Sequence, residues 1–138
     1  MQVKIITNKK DKNYDVEVVQ KNKNPIQFKP FCEYDKKSNT ILVSVPSSEA
    51  NAVSQIGTDA WKWFVSAYVS SINKAIETKK MVILVPELGL GLLWKDCLMP
   101  MAAREALDMV KKCSDGFTVI FCVNDKRYKL WDEMMVFD

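Results

Sequence analysis

Three strand-length runs carry apolar residues on both of their alternating sides: residues 41–45 (ILVSV), 81–85 (MVILV) and 117–123 (FTVIFCV). A strand that is apolar all round has to be covered on both faces. Continuous Val- and Ile-rich runs of this kind mark a parallel sheet packed between helices. Between them the apolar spacing changes to three and four residues, the period of a helix. Over residues 58–80 the stripe is Trp61, Phe64, Val65, Tyr68, Val69, Ile72, Ala75 and Ile76. Thr58 or Asp59 suits its N-cap and Lys79 and Lys80 its C-terminal dipole. Over residues 100–113 a second stripe contains Ala102, Ala103, Ala106, Leu107 and Val110, with Pro100 in its first turn and Gly116 beyond its end. Asp125 is placed to cap a last helix bearing Tyr128, Trp131 and Met135.

The first third reads differently. Residues 2–6 and 14–19 have strand patterns, and in the second Tyr14, Val16 and Val18 alternate with Asp15 and Glu17. Pro25 and Pro30 restrict residues 26–34 to an edge strand or a loop, and residues 35–39 form a polar turn. The expected architecture is α/β: a three-layer α/β/α domain with a mixed sheet, parallel central strands and antiparallel N-terminal edge strands added at one side. With 138 residues, one domain over 1–138 is expected.

The totals exclude several classes of chemistry. The chain has no histidine, which removes Ser-His and Cys-His catalysis and His-metal ligation. Its four cysteines form no C-x-x-C pair, so no metal site is expected. No apolar run is long enough to span a bilayer, and Met1 leads directly into a strand pattern, so neither membrane span nor signal peptide is expected. Free thiols without an export signal predict a cytoplasmic setting. Residues 1–37 hold nine lysines against five acids, but no Arg and only one aromatic, Tyr14, lie among Lys9, Lys10, Lys12, Lys21 and Lys23. That is the pattern of a solvated edge and not of a nucleic-acid groove.

Ligands of open α/β sheets collect at the carboxyl ends of the parallel strands. Three segments qualify: 46–57, 86–99 and 124–125. The middle one, Pro86-Glu87-Leu88-Gly89-Leu90-Gly91-Leu92-Leu93-Trp94, holds half of the four glycines. Amides at Gly89 and Gly91, followed by a helix N-terminus, suit an anion. The plainer reading is a tight turn with its leucines as core filler. Ser47 and its neighbours offer hydroxyls but are also ordinary turn formers. Trp61 and Trp63 cannot share one helix face, so Trp63 is expected to be partly exposed.

Residues 64–131 resemble the C-terminal half of a macro domain, the ADP-ribose-binding α/β/α module. The motifs are a helix (64–78), an apolar strand closing in Pro86, Gly89-Leu90-Gly91, an Ala-rich helix (100–112), a final strand (117–123) and a Tyr-bearing helix. The resemblance implies that Leu88, Gly89, Leu90 and Gly91 line the distal-ribose and diphosphate channel, with Val123 and Asn124 near the adenosine. Leu92 and Ser47 complete the candidate set. The N-terminal half departs from the family: Pro46-Ser47-Ser48 follows the strand at 41–45 where the family carries Asn-Ala-Ala-Asn, and Gly57 alone stands for its glycine-rich loop. The implied function is binding of ADP-ribose or a related phosphate-bearing nucleotide, with no cofactor. Two alternatives remain: an interaction module without nucleotide binding that engages a protein or nucleic acid, for instance through Trp63 and the basic strands, and an ADP-ribosyl or nucleotide hydrolase using Glu87 or Asp96 as base.

Overall fold

A computed structural model describes residues 1–11, 13–21, 31–45, 59–89, 97–113 and 115–135. The strands are β1 (Gln2–Ile6), β2 (Val16–Gln20), β3 (Cys32–Asp35), β4 (Thr40–Val43), β5 (Val82–Pro86) and β6 (Thr118–Cys122). The helices are α1 (Asp59–Glu77), α2 (Leu98–Leu107) and α3 (Tyr128–Met134), with 3-10 turns at Lys9–Asp11 and Asp125–Arg127. The strands form one mixed six-stranded sheet in the order β1-β6-β5-β2-β4-β3. Every adjacent pair is parallel except β3 with β4. The chain is therefore an α/β fold, and the three doubly apolar runs lie inside its sheet.

Two details of the expected layout change. The N-terminal strands are not grouped at one side: β1 and β3 are the two edges, and β2 sits in the middle between β5 and β4, parallel to both. The alternation in β2 reports which side chains are wet, with Val16 and Val18 buried and Glu17 half-buried. Backbone pairing runs in the sheet plane and does not depend on that alternation. Second, α1, α2 and α3 share one face among the described residues. Phe121 of β6 packs against both Tyr68 of α1, at 6.2 Å, and Trp131 of α3, at 5.0 Å between ring centroids. Glu105 of α2 accepts a hydrogen bond from Trp61 Nε1 of α1 at 2.9 Å. The other face buries Leu84 and Ile120.

Local chemistry explains the element ends. Asp15 joins the start of β2 to the start of β5: its Oδ2 accepts from the backbone N–H groups of Met81 and Val82, each at 2.9 Å. Its carbonyl accepts from Asn39 Nδ2 at 2.6 Å, which ties down the turn before β4. α2 begins at Leu98, two residues before Pro100, and ends at Leu107 rather than running on to 113. There the bonds tighten to i→i−3, Asp108 N to Glu105 O and Met109 N to Ala106 O, and Lys111 N is captured by Asn73 Oδ1 at 2.8 Å. The fully buried alanines 102, 103 and 106 give α2 a smooth face for close packing. Thr58 lies outside the described residues; Asp59 is the first helical residue of α1.

Candidate functional site

β2 and β5 are parallel neighbours whose onward connections leave in opposite directions, β2 toward β3 and β4, β5 toward β6. That is a topological switch point, the place in an open α/β sheet where a crevice opens beyond the carboxyl ends of the strands. Gln20 closes β2 at this end, and Glu87, Leu88 and Gly89 follow β5. The segments 22–30, 46–58 and 90–96 leave from this same end and lie outside the described residues. Ser47, Leu90, Gly91, Leu92 and Asp96 belong to them.

The base of the 86–96 segment is tightly held. Gly89 has φ +75°, the left-handed region that glycine enters without strain. Its N–H donates to Gln20 Oε1 at 2.8 Å, a bond across the switch point itself. A Cβ built on Gly89 would lie 2.3 Å from Phe64 Cε2, so no side chain fits. The Leu88 side chain is fully buried, and its N–H donates to the Tyr68 hydroxyl at 3.1 Å. The expectation that the Gly89 amide stands open to an anion is thus corrected: it and the Leu88 amide are both satisfied internally. Leucine 88 is core filler, as the plainer reading had it. Tyr68 is fully buried, and this desolvation pushes its hydroxyl well above the ordinary tyrosine value, so it stays neutral. Tyr68→Phe keeps the ring but strands the Leu88 amide. It should cost about 1–3 kcal/mol of stability, read as the shift of the urea unfolding midpoint.

Glu87 is not a free base. Its side chain is 6% exposed and that of Arg127 is 13% exposed. Arg127 Nε donates to Oε2 at 2.6 Å and its second guanidinium nitrogen to Oε1 at 2.9 Å, a bidentate pair. Trp131 Nε1 donates to Oε2 at 3.1 Å and Asn124 N to Oε1 at 2.8 Å. Burial pushes the carboxyl pKa up, but these hydrogen bonds and the Arg127 charge outweigh it and hold the pKa below the ordinary value. The carboxylate clamps β5 to the end of β6 and to α3, and every lone-pair direction useful to a general base is taken up. Because the folded-state pKa is depressed, its stabilisation is present above the unfolded value, about 4.3. It is lost as pH falls through the lower folded value. Urea midpoints should therefore drop below pH ~4.3, with a shallower drop in Glu87→Gln.

Val123 and Asn124 stand at the far side of this end. Val123 is buried, and its N–H extends the β1–β6 pairing by donating to Ile6 O at 2.8 Å. Asn124 is exposed, and its Oδ1 accepts from Lys126 N at 2.9 Å. It is Asn124, not Asp125, that caps the final helical segment. Trp63 is half-buried, and its buried indole N–H has no hydrogen-bond partner among the described residues.

The remaining chemistry is sparse. All four cysteines are free thiols. Burial pushes Cys32 up to about 11 and also raises Cys122, which leaves both poor nucleophiles. Among the described residues no group of three or more His, Cys, Asp or Glu side chains is placed to hold a metal ion. Among them, too, no helix is long and apolar enough to cross a membrane.

Gln20, Tyr68 and Arg127 are the functional-end residues that sequence reasoning missed. Gln20 and Arg127 reach their partners only through strand order and register, Pro86 opposite Cys122 and β2 beside β5. Tyr68 was legible as a core residue, but a hydroxyl on an apolar stripe was the only hint that it holds a loop amide. No family model matches the chain, and no curated protein matches it in sequence.

Proposed function

We propose that the chain is a macro-domain-like module that binds ADP-ribose or a related phosphate-bearing nucleotide at the β2/β5 switch point. One observation carries the reading: the Gly89-Leu90-Gly91 segment starts at that switch point, with its base fixed by Gln20 and Tyr68. An anchored root removes part of the ordering cost before a ligand arrives, which favours binding. With the Leu88 and Gly89 amides engaged, phosphate contact falls to residues 90–92, and the exposed Asn124 is available to a base or ribose. Binding needs no metal and no catalytic carboxylate, consistent with the commitment of Glu87 to Arg127.

The test is thermal denaturation of the full chain with ADP-ribose, NAD, ATP and cyclic nucleotides. A ligand at a hundredfold excess over its Kd should stabilise the fold by about 2.7 kcal/mol. No shift with any of them would leave the interaction-module reading in its place.

A further inference from the structure

The amino end of the sheet carries a hollow. It lies where α1 ends and where β5 and β6 begin, and its volume is about 370 Å³. Ile76, Met81, Cys113 and Phe117 wall it, and three lysines, Lys79, Lys80 and Lys112, stand around it. Ile76, Met81 and Phe117 give an apolar group a surface to pack on, while the polar part of the lining is the three lysines and the Cys113 thiol. Methionine 81, itself 41% exposed, supplies a flexible and polarisable surface that adapts to an apolar chain.

Lysines outnumber carboxylates around this hollow. Glu77 is held by Lys111 at 2.6 Å and Lys74 at 3.7 Å, and Asp15 caps the Met81 and Val82 amides, which leaves Asp115, between Cys113 and Phe117 in the chain, against three lysines. Among the described residues, Lys79, Lys80 and Lys112 form no ion pair. Lys80 lies 5.5 Å from the centre of the Tyr34 ring.

Lys79 provides a second, independent observation. α1 closes by reversing through Lys79, whose N–H donates to Ile76 O at 3.1 Å, while Lys80 N–H donates to Ala75 O at 2.9 Å. Lys79 takes φ +60° to do so. That position is the usual place for glycine, and a side chain there is strained. The strain places a third ammonium group at the rim of an apolar hollow.

We propose that this hollow binds a small amphipathic anion, an apolar chain ending in a carboxylate or phosphate. The chain would lie on Ile76, Met81 and Phe117 and the head group among the three lysines. Lysines act as mobile point charges and do not impose the planar two-point geometry of arginine, so either head group is accepted. The site is at the opposite end of the sheet from the β2/β5 switch point, and it stands or falls separately from nucleotide binding.

The experiment is titration of the full chain with octanoate and, in parallel, octyl phosphate, at low ionic strength, followed by amide chemical shifts and calorimetry. Saturable one-to-one binding is expected, with shifts centred on Lys79, Met81 and Phe117. Octylammonium should bind roughly tenfold more weakly or not at all, and Lys79→Gly combined with Lys112→Gln should weaken octanoate roughly tenfold. Lys79→Gly alone separates folding from binding: it should raise Tm by roughly 2–5 °C through relief of strain while lowering affinity. Saturation by octanoate but not octyl phosphate, or the reverse, still supports the site and fixes the head group. Absence of saturable binding by both, equal binding of octylammonium, or unchanged affinity in the lysine variants would overturn it.

Discussion

Glu87→Ala should destabilise the protein by about 3–5 kcal/mol, because it leaves the Arg127 guanidinium buried without its counter-charge. The carboxylate receives four hydrogen bonds, from two Arg127 nitrogens, the Trp131 indole and the Asn124 backbone. Removing it breaks all four and loosens the junction of β5, β6 and α3 together. Trp131 is fully buried against Phe121, so a shift of its indole is felt in the core. For a domain of this size the loss corresponds to roughly 10–20 °C in Tm. Replacing both partners by apolar residues, Glu87→Leu with Arg127→Met, should restore most of it, since neither charge is then buried alone. A Glu87→Ala loss below about 1 kcal/mol, the range of an exposed pair, would show that the cluster is solvated and the clamp an overstatement.

Gly89→Ala is expected to cost about 2–5 kcal/mol, the sum of left-handed backbone strain, about 1–2, and overpacking, about 1–3. The added methyl would meet the Phe64 ring at 2.3 Å. Phe64 cannot yield easily, because it is fully buried, edge-on to Tyr68 at 5.7 Å and 6.1 Å from Trp61. Displacement of residue 89 would also pull its amide from Gln20. Gly116→Ala is the matched comparison. Among the described residues its methyl would meet only the terminal carbon of Met81, at 3.0 Å, so a cost within about 0.5 kcal/mol is expected. Equal unfolding midpoints for the two variants would contradict the packing argument.

The contrast between those two glycines shows what the sequence could and could not disclose. Hydrophobic period identified the buried strands, the long α1 stripe and the Ala-rich face of α2, since each reflects local alternation of burial. The scarcity of glycine, four in the chain with two of them at 89 and 91, marked Gly89 as special. What it could not supply was pairing. Whether Val16–Gln20 is an edge or a centre depends on which strands flank it, and side-chain alternation is silent on that. The position of Gln20 opposite Gly89 and of Arg127 opposite Glu87 follows only from that pairing. Glu87 therefore read as a loop carboxylate with catalytic potential, when a bidentate arginine holds it in a structural bond. The reverse failure is Asn124: the Asx capping preference was assigned one residue late, to Asp125, because both residue types cap helices equally well.

The relation between the anchored loop and the proposed ligand also sorts the variants. Gly89→Ala acts through folding. Gly91→Asp introduces a carboxylate where phosphate is proposed to bind, and its urea midpoint beside that of the parent chain separates loss of ligand from loss of fold.

The most direct measurement is an amide chemical-shift titration of the full chain with ADP-ribose, repeated on Gly91→Asp. Binding at the switch point predicts saturable shifts at Gln20, Gly89 and Asn124 in the parent chain and none in the variant. Shifts confined to the amino end of the sheet, or identical titrations for both proteins, would contradict it.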